Sequence, residues 1–77
     1  MASVTIRLNS IGEVKEFNRI AATVPGDVDL HSGRYCVDAK SIMGIFSLDL
    51  SKAIDLNIHA ADAALDEILE VLKPYLV

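Results

Sequence analysis

Four segments of this chain alternate apolar with polar residues, and that alternation limits the fold more than any other feature. The first is Val4-Thr5-Ile6-Arg7-Leu8-Asn9. The second and third are Asp27 to His31, with Val28 and Leu30 on the inward parity, and Arg34 to Asp38, with Tyr35 and Val37 inward. The fourth runs through Ile54, Leu56 and Ile58. A period of two is that of a strand buried on one face only. A sheet made of four such strands is antiparallel, with one side wet and the other covered by the rest of the chain.

The cover is legible between the strands. Ser10-Ile11-Gly12-Glu13 has the Ser-x-x-Glu spacing of a capping box, so a helix begins there. Val14, Phe17, Ala21 and Val24 recur on one face of it, and Pro25-Gly26 ends it. Ser32-Gly33 joins strands two and three as a hairpin. A short helix starts near Ser41, and a last one carries Leu65, Ile68, Leu69, Leu72 and Leu76 on one face. The expected order is βαββαβα, an α+β open-faced sandwich with a four-stranded antiparallel sheet and three helices on one face. The 77 residues contain no repeat or linker and read as one domain over 1–77.

Composition narrows the function classes. An apolar share of 52% supports a folded core in so short a chain. Seven scattered Lys and Arg residues against a net charge of −4 form no basic stripe, which argues against nucleic acid as a partner. No apolar run reaches the ~20 residues of a membrane span, and no secretion signal opens the chain. The single cysteine, Cys36, implies no disulfide framework, and a cytoplasmic setting is expected.

The segment Lys40-Ser41-Ile42-Met43-Gly44-Ile45-Phe46-Ser47-Leu48 resembles, nearly residue for residue, the regulatory-serine segment of the HPr family, the phosphocarriers of the bacterial sugar phosphotransferase system. The strand and helix order resembles that family over the whole length. The resemblance implies that Ser41 matches the serine that a dedicated HPr kinase phosphorylates from ATP. It also implies that Ile42, Met43 and Phe46, with Lys40 beside them, match the surface HPr proteins offer to partners. Each residue has a plainer reading as well. Ser41 is a good helix cap, and Ile42, Met43 and Phe46 could fill the core, although helical spacing favours Ile45 and Leu48 for that.

The family's other hallmark is missing. HPr proteins carry a pattern of the kind Gly-Leu-His-Ala-Arg-Pro-Ala between strand one and helix one, where the helix N-terminus and the arginine stabilise phosphohistidine. This chain has Asn9-Ser10-Ile11-Gly12-Glu13-Val14, a shorter connection without the histidine, arginine or proline, and with Glu13 set to repel a phosphoryl group. Further departures are Leu48-Asp49 and Ala53 before strand four and the abrupt His59-Ala60-Ala61-Asp62 turn after it. His31 and His59 fall on the wet face of the sheet, where antiparallel pairing of strands two and four sets His31 beside Asp55 and His59 beside Asp27. No shared metal site with Cys36 is expected, and neither a catalytic residue nor a cofactor.

The expected function is therefore a non-catalytic, HPr-like regulatory or protein-interaction module, not an enzyme, that meets an HPr kinase or a transcriptional regulator. Two alternatives stand beside it. One is a phosphocarrier that accepts phosphate from Enzyme I at a displaced residue, Ser10 or a histidine. The other is a family remnant that associates with itself through the apolar patch as a homodimer.

Overall fold

A computed structural model describes residues 2–77. Its elements are β1 (Ala2–Ile6), α1 (Ile11–Ala22), β2 (Asp27–Ser32), β3 (Tyr35–Asp38), α2 (Ile42–Phe46), β4 (Ile54–His59) and α3 (Asp62–Leu72), followed by a 3₁₀ turn over Lys73–Tyr75. The sheet order is β1-β4-β2-β3 and every neighbouring pair is antiparallel. This is the open-faced sandwich expected from the alternation.

One face of the sheet makes the core. Ile6, Val28, Leu30, Ile54, Leu56 and Ile58 are almost wholly buried from the strands, and Val14, Phe17, Ala21, Ile45, Leu65 and Leu72 meet them from the helices. Phe17 packs edge-on against the ring of Tyr75, with centroids 6.3 Å apart and planes at 81°. Tyr75 thus closes the core where α3 ends.

Four local expectations are corrected. Strand one ends at Ile6, two or three residues before the end of its alternating pattern. Leu8 keeps the inward parity and is buried, but Arg7 donates its amide to the Tyr75 carbonyl at 2.8 Å, outside the ladder to β4. The last helix stops at Leu72 because Pro74 has no amide to continue the α-helical bonding. Leu76 then leaves the helix and bridges Ile6 as a short extension of the sheet. The hairpin turn is Gly33-Arg34, flanked by the pair Ser32 and Tyr35. With φ of +59° at Gly33 and no positive φ at Arg34, it has the pattern that places glycine first. Finally, Tyr35 is 67% exposed despite its inward parity, because β3 is the edge strand and Tyr35 sits at its outer end.

Candidate functional site

The chain turns out of β3 into α2 through a set of small hydrogen bonds centred on Asp38 and Ser41. Asp38 accepts the Lys40 amide on Oδ1 at 2.9 Å and the Ser41 amide on its backbone carbonyl at 3.0 Å. Ser41, with extended backbone, then caps α2: its Oγ accepts the Gly44 amide at 3.2 Å, and its carbonyl takes the first helical bond, from Ile45 at 3.1 Å. Ser41 is exposed, so the same hydroxyl is open to a partner.

The five residues of α2 cannot sustain a helix by propensity, so packing holds them. Ile45 is fully buried and Leu48 nearly so, the two core positions that spacing predicts. At Gly44 a Cβ would lie 3.3 Å from the Cβ of Val37, so the absent side chain lets α2 sit close on β3. With Ile45 turned inward, Met43 is 77% and Phe46 42% exposed. Ile42 is only half-buried and leans on the core, which corrects its expected outward place. A helix this short has few positions, and the one beside Ser41 still reaches its inner flank.

Lys40 differs from a free surface cation. Its Nζ donates to the Val24 carbonyl at 2.8 Å, and Asn18 Nδ2 donates to the Ala39 carbonyl at 3.3 Å. These two bonds tie the start of α2 to α1 and the loop after it. Sequence reading missed both, along with Ile11, an apolar residue 65% exposed at the first position of α1. The signal for Ile11 was available: it falls outside the Val14, Phe17 and Ala21 stripe.

The start of α1 is closed by its own side chains. Ser10 Oγ accepts the Glu13 amide at 3.1 Å, but Glu13 Oε1 accepts the amide of Asn9 at 2.6 Å rather than that of Ser10, so only the serine half of the expected capping box forms. A hydroxyl therefore takes one amide of the first turn, and a carboxylate stands beside it on the amide of Asn9.

Both histidines lie on the wet face of the sheet. Their backbone neighbours are the expected ones, His31 opposite Asp55 and His59 opposite Asp27. The side chains choose differently. His59 Nε2 meets Asp29 Oδ2 at 3.0 Å, on the diagonal, a reach long side chains have in a twisted pair. Asp55 accepts from Thr5 Oγ1 of β1 at 3.4 Å, and His31 Nε2 lies 3.5 Å from Cys36 Sγ on β3. Among the described residues no three His, Cys, Asp or Glu side chains gather to hold a metal. Among those residues, too, no helix is long and apolar enough to cross a membrane.

The antiparallel open-faced sandwich of this element order is the fold of the small HPr-like phosphocarriers. The family model described as the PTS HPr component phosphorylation site matches residues 13–76, and the chain belongs to the HPr family. Among solved structures it is similar to the crystal structure of HPr-C-His from Thermoanaerobacter tengcongensis, at 26% identity, over 94% of this chain and 90% of that one, with a TM-score of 0.75. No curated protein matches it. Members of the family are phosphocarriers rather than enzymes and work through contacts with other proteins of the phosphotransferase system.

Proposed function

We propose that this chain is a regulatory, protein-binding member of the HPr family that does not carry phosphate on histidine, acting as one domain over residues 1–77 in the cytoplasm. The observation that carries the reading is the contrast between two helix starts. At α1 Ser10 takes the Glu13 amide, the Glu13 carboxylate stands beside the helix start on the Asn9 amide, and the segment from Asn9 to Val14 contains no histidine. At α2 an exposed serine is set beside Met43 and Phe46, both open to solvent.

Ser41 is the candidate phosphorylation site, with an HPr kinase as the modifying partner. Phosphate there would add about −1.5 to −2 charge next to the apolar side chains. Ile42, Met43 and Phe46 are the candidate contacts for a transcriptional regulator or another protein, since exposed apolar groups gathered on a small domain mark an interface. Lys40 belongs to this site as the residue that fixes its position. Modification would change what docks and leave the fold intact, because the helix N-terminus tolerates the added charge.

The test is intact mass after incubation with ATP and an HPr kinase, beside Ser41→Ala. One added phosphate, absent from the variant, is the expected result. A second incubation with phosphorylated Enzyme I should add nothing. Phosphate gained from Enzyme I, at Ser10 or at either histidine, would overturn the non-catalytic reading in favour of a carrier with a displaced acceptor.

A further inference from the structure

The two edges of the sheet are treated differently. Beyond β1 the C-terminal residues close the edge: Leu76 bridges Ile6, Arg7 donates to the Tyr75 carbonyl at 2.8 Å and Val77 donates to the Thr5 carbonyl at 3.1 Å. Among the described residues no further strand lies beyond β3. Exposed strand edges are normally blunted with lysine, proline or a covering segment. The strand Tyr35-Cys36-Val37-Asp38 contains neither residue.

Register says which backbone groups this edge presents. Ala39 donates to the Val28 carbonyl at 2.8 Å, and the two-residue turn closes on Ser32 and Tyr35. Hydrogen-bonded and non-bonded pairs alternate in an antiparallel ladder. Val37 with Leu30 is therefore a bonded pair, whereas Cys36 opposite His31 directs its amide and carbonyl away from β2. Among the described residues those two groups take no backbone partner outside the sheet.

The sequence of the edge is complementary to itself. In an antiparallel pairing of two copies centred on Cys36, each Arg34 opposes Asp38 of the second copy and each Tyr35 opposes Val37. Arg34 is exposed and forms no ion pair among the described residues. The Asp38 carboxylate is exposed and, among the described residues, accepts only the Lys40 amide. Asp49 and Lys52, which line the same surface depression as Arg34, are paired with each other. On the helix side Tyr35 would gain the cover that its place at the edge denies it, against Val37 of the second copy.

We propose that the β3 edge is a homodimer interface, in which two copies pair antiparallel about Cys36 to make a continuous eight-stranded sheet. The occupant is a second copy because the charges and the apolar residues of the segment from Arg34 in the turn to Asp38 at the end of β3 match when it is reversed upon itself. The contact is independent of the Ile42, Met43 and Phe46 surface. It is short, and falls below the ~1,200–2,000 Å² of stable complexes, so the dimer is weak and forms at high protein concentration.

Sedimentation velocity over a concentration series tests this with wild type, Arg34→Asp, Asp38→Arg and an equal mixture of the two variants, each first shown to be folded by circular dichroism. Wild type should pass from monomer to dimer, and each variant alone should dimerise at least tenfold more weakly, because like charges then face each other. The mixture should regain the dimer, since both opposed pairs become opposite in sign. A wild type that stays monomeric at about 1 mM, the weak end of specific association, would overturn the proposal. So would variants that dimerise like wild type, or a mixture that does not recover.

Asp38→Arg also loses the acceptor for the Lys40 amide. Should that variant not fold, disulfide capture decides. A hydrogen-bonded antiparallel pair sets the Cα atoms ~5.5 Å apart, inside the range a disulfide spans. Mild oxidation should yield a reducible dimer through Cys36 that Arg34→Asp suppresses, and equal yields from both proteins would refute the pairing.

Discussion

Ser10 caps the first helical turn by taking the Glu13 amide on its hydroxyl at 3.1 Å, and the Glu13 side chain reaches past Ser10 to the amide of Asn9 at 2.6 Å. In the family pattern this is where a histidine and an arginine would hold a phosphoryl group. Here a hydroxyl and a carboxylate stand in that place. Ser10→Ala should therefore lower stability by about 1 kcal/mol, the usual worth of a cap, in urea denaturation with an unchanged m-value. Phosphorylation at Ser41 should be unaffected. If the loss of Ser10 instead removed a phosphate gained from Enzyme I, this helix start would be a transfer site after all.

A second prediction separates two glycines. Gly26 has φ of +140° and lies against the backbone carbonyl of His59, where a Cβ would overlap the carbonyl oxygen. The turn after α1 thus passes the end of β4 at a distance that only glycine permits. Gly33 has φ of +59° at the hairpin tip, with open space around it. Gly33→Ala should cost about 1–2 kcal/mol, the strain of a left-handed residue. Gly26→Ala should cost clearly more, because a backbone atom must move as well. Equal midpoints in urea for the two variants would refute the close approach.

How much of this was legible beforehand differs from element to element, for physical reasons. The strands and their faces could be read because burial on one side forces a period of two, and the pairing of His31 with Asp55 and of His59 with Asp27 follows once strands two and four are adjacent. The partner each side chain selects does not follow, since a diagonal contact such as His59 with Asp29 depends on twist and rotamer. Leu76 shares the helical spacing of Leu65 and Leu72, yet Pro74 overrides that spacing. At α2 the core residues Ile45 and Leu48 were evident, whereas the half-burial of Ile42 and the tie from Lys40 to Val24 are long-range facts that no local pattern carries. The family resemblance supplied the interest in Ser41, and the cap on Gly44 supplies its geometry.

That geometry yields a third prediction, which splits the two roles of Ser41. Ser41→Ala removes both the cap and any phosphate acceptor, and should cost about 1 kcal/mol. Ser41→Asp keeps a capping oxygen and places a negative charge at the helix start, so its stability should stay close to wild type. Neither variant should gain mass with an HPr kinase. A binding change seen with alanine but not with aspartate would then report the cap, whereas a change seen with aspartate alone would report charge beside Met43 and Phe46.

The fourth prediction concerns the apolar residues of α2. Ile45 is fully buried, so Ile45→Ala should lose about 2–5 kcal/mol through lost burial and the cavity left behind. Met43 is 77% exposed, and Met43→Ala should stay within about 0.5 kcal/mol of wild type. Binding experiments can therefore use Met43→Ala without confounding docking with unfolding. A large destabilisation by Met43→Ala would mean that the residue is packed rather than presented.

The last prediction follows Tyr75. Burial against Phe17 disfavours its phenolate and, with further contributions from the negative charges of Glu16 and Glu13, raises its pKa above the usual 10.0 despite the opposing charge of Arg19. In the unfolded chain the ring loses its proton at the ordinary value, so between that pH and the higher folded one the native state binds more protons than the unfolded state. Stability linked to this group is complete below about pH 10, the ordinary tyrosine value, and declines as pH rises through the native titration. Alkaline titration of Tyr35→Phe, which leaves Tyr75 as the only tyrosine, should show ionisation displaced upward from the free value and coupled to loss of helical signal. Tyr75→Phe keeps the ring against Phe17 and removes the titrating hydroxyl, so it should flatten the decline over that range. If the decline persisted unchanged, alkaline unfolding would begin at other groups and the buried end of α3 would not be its trigger.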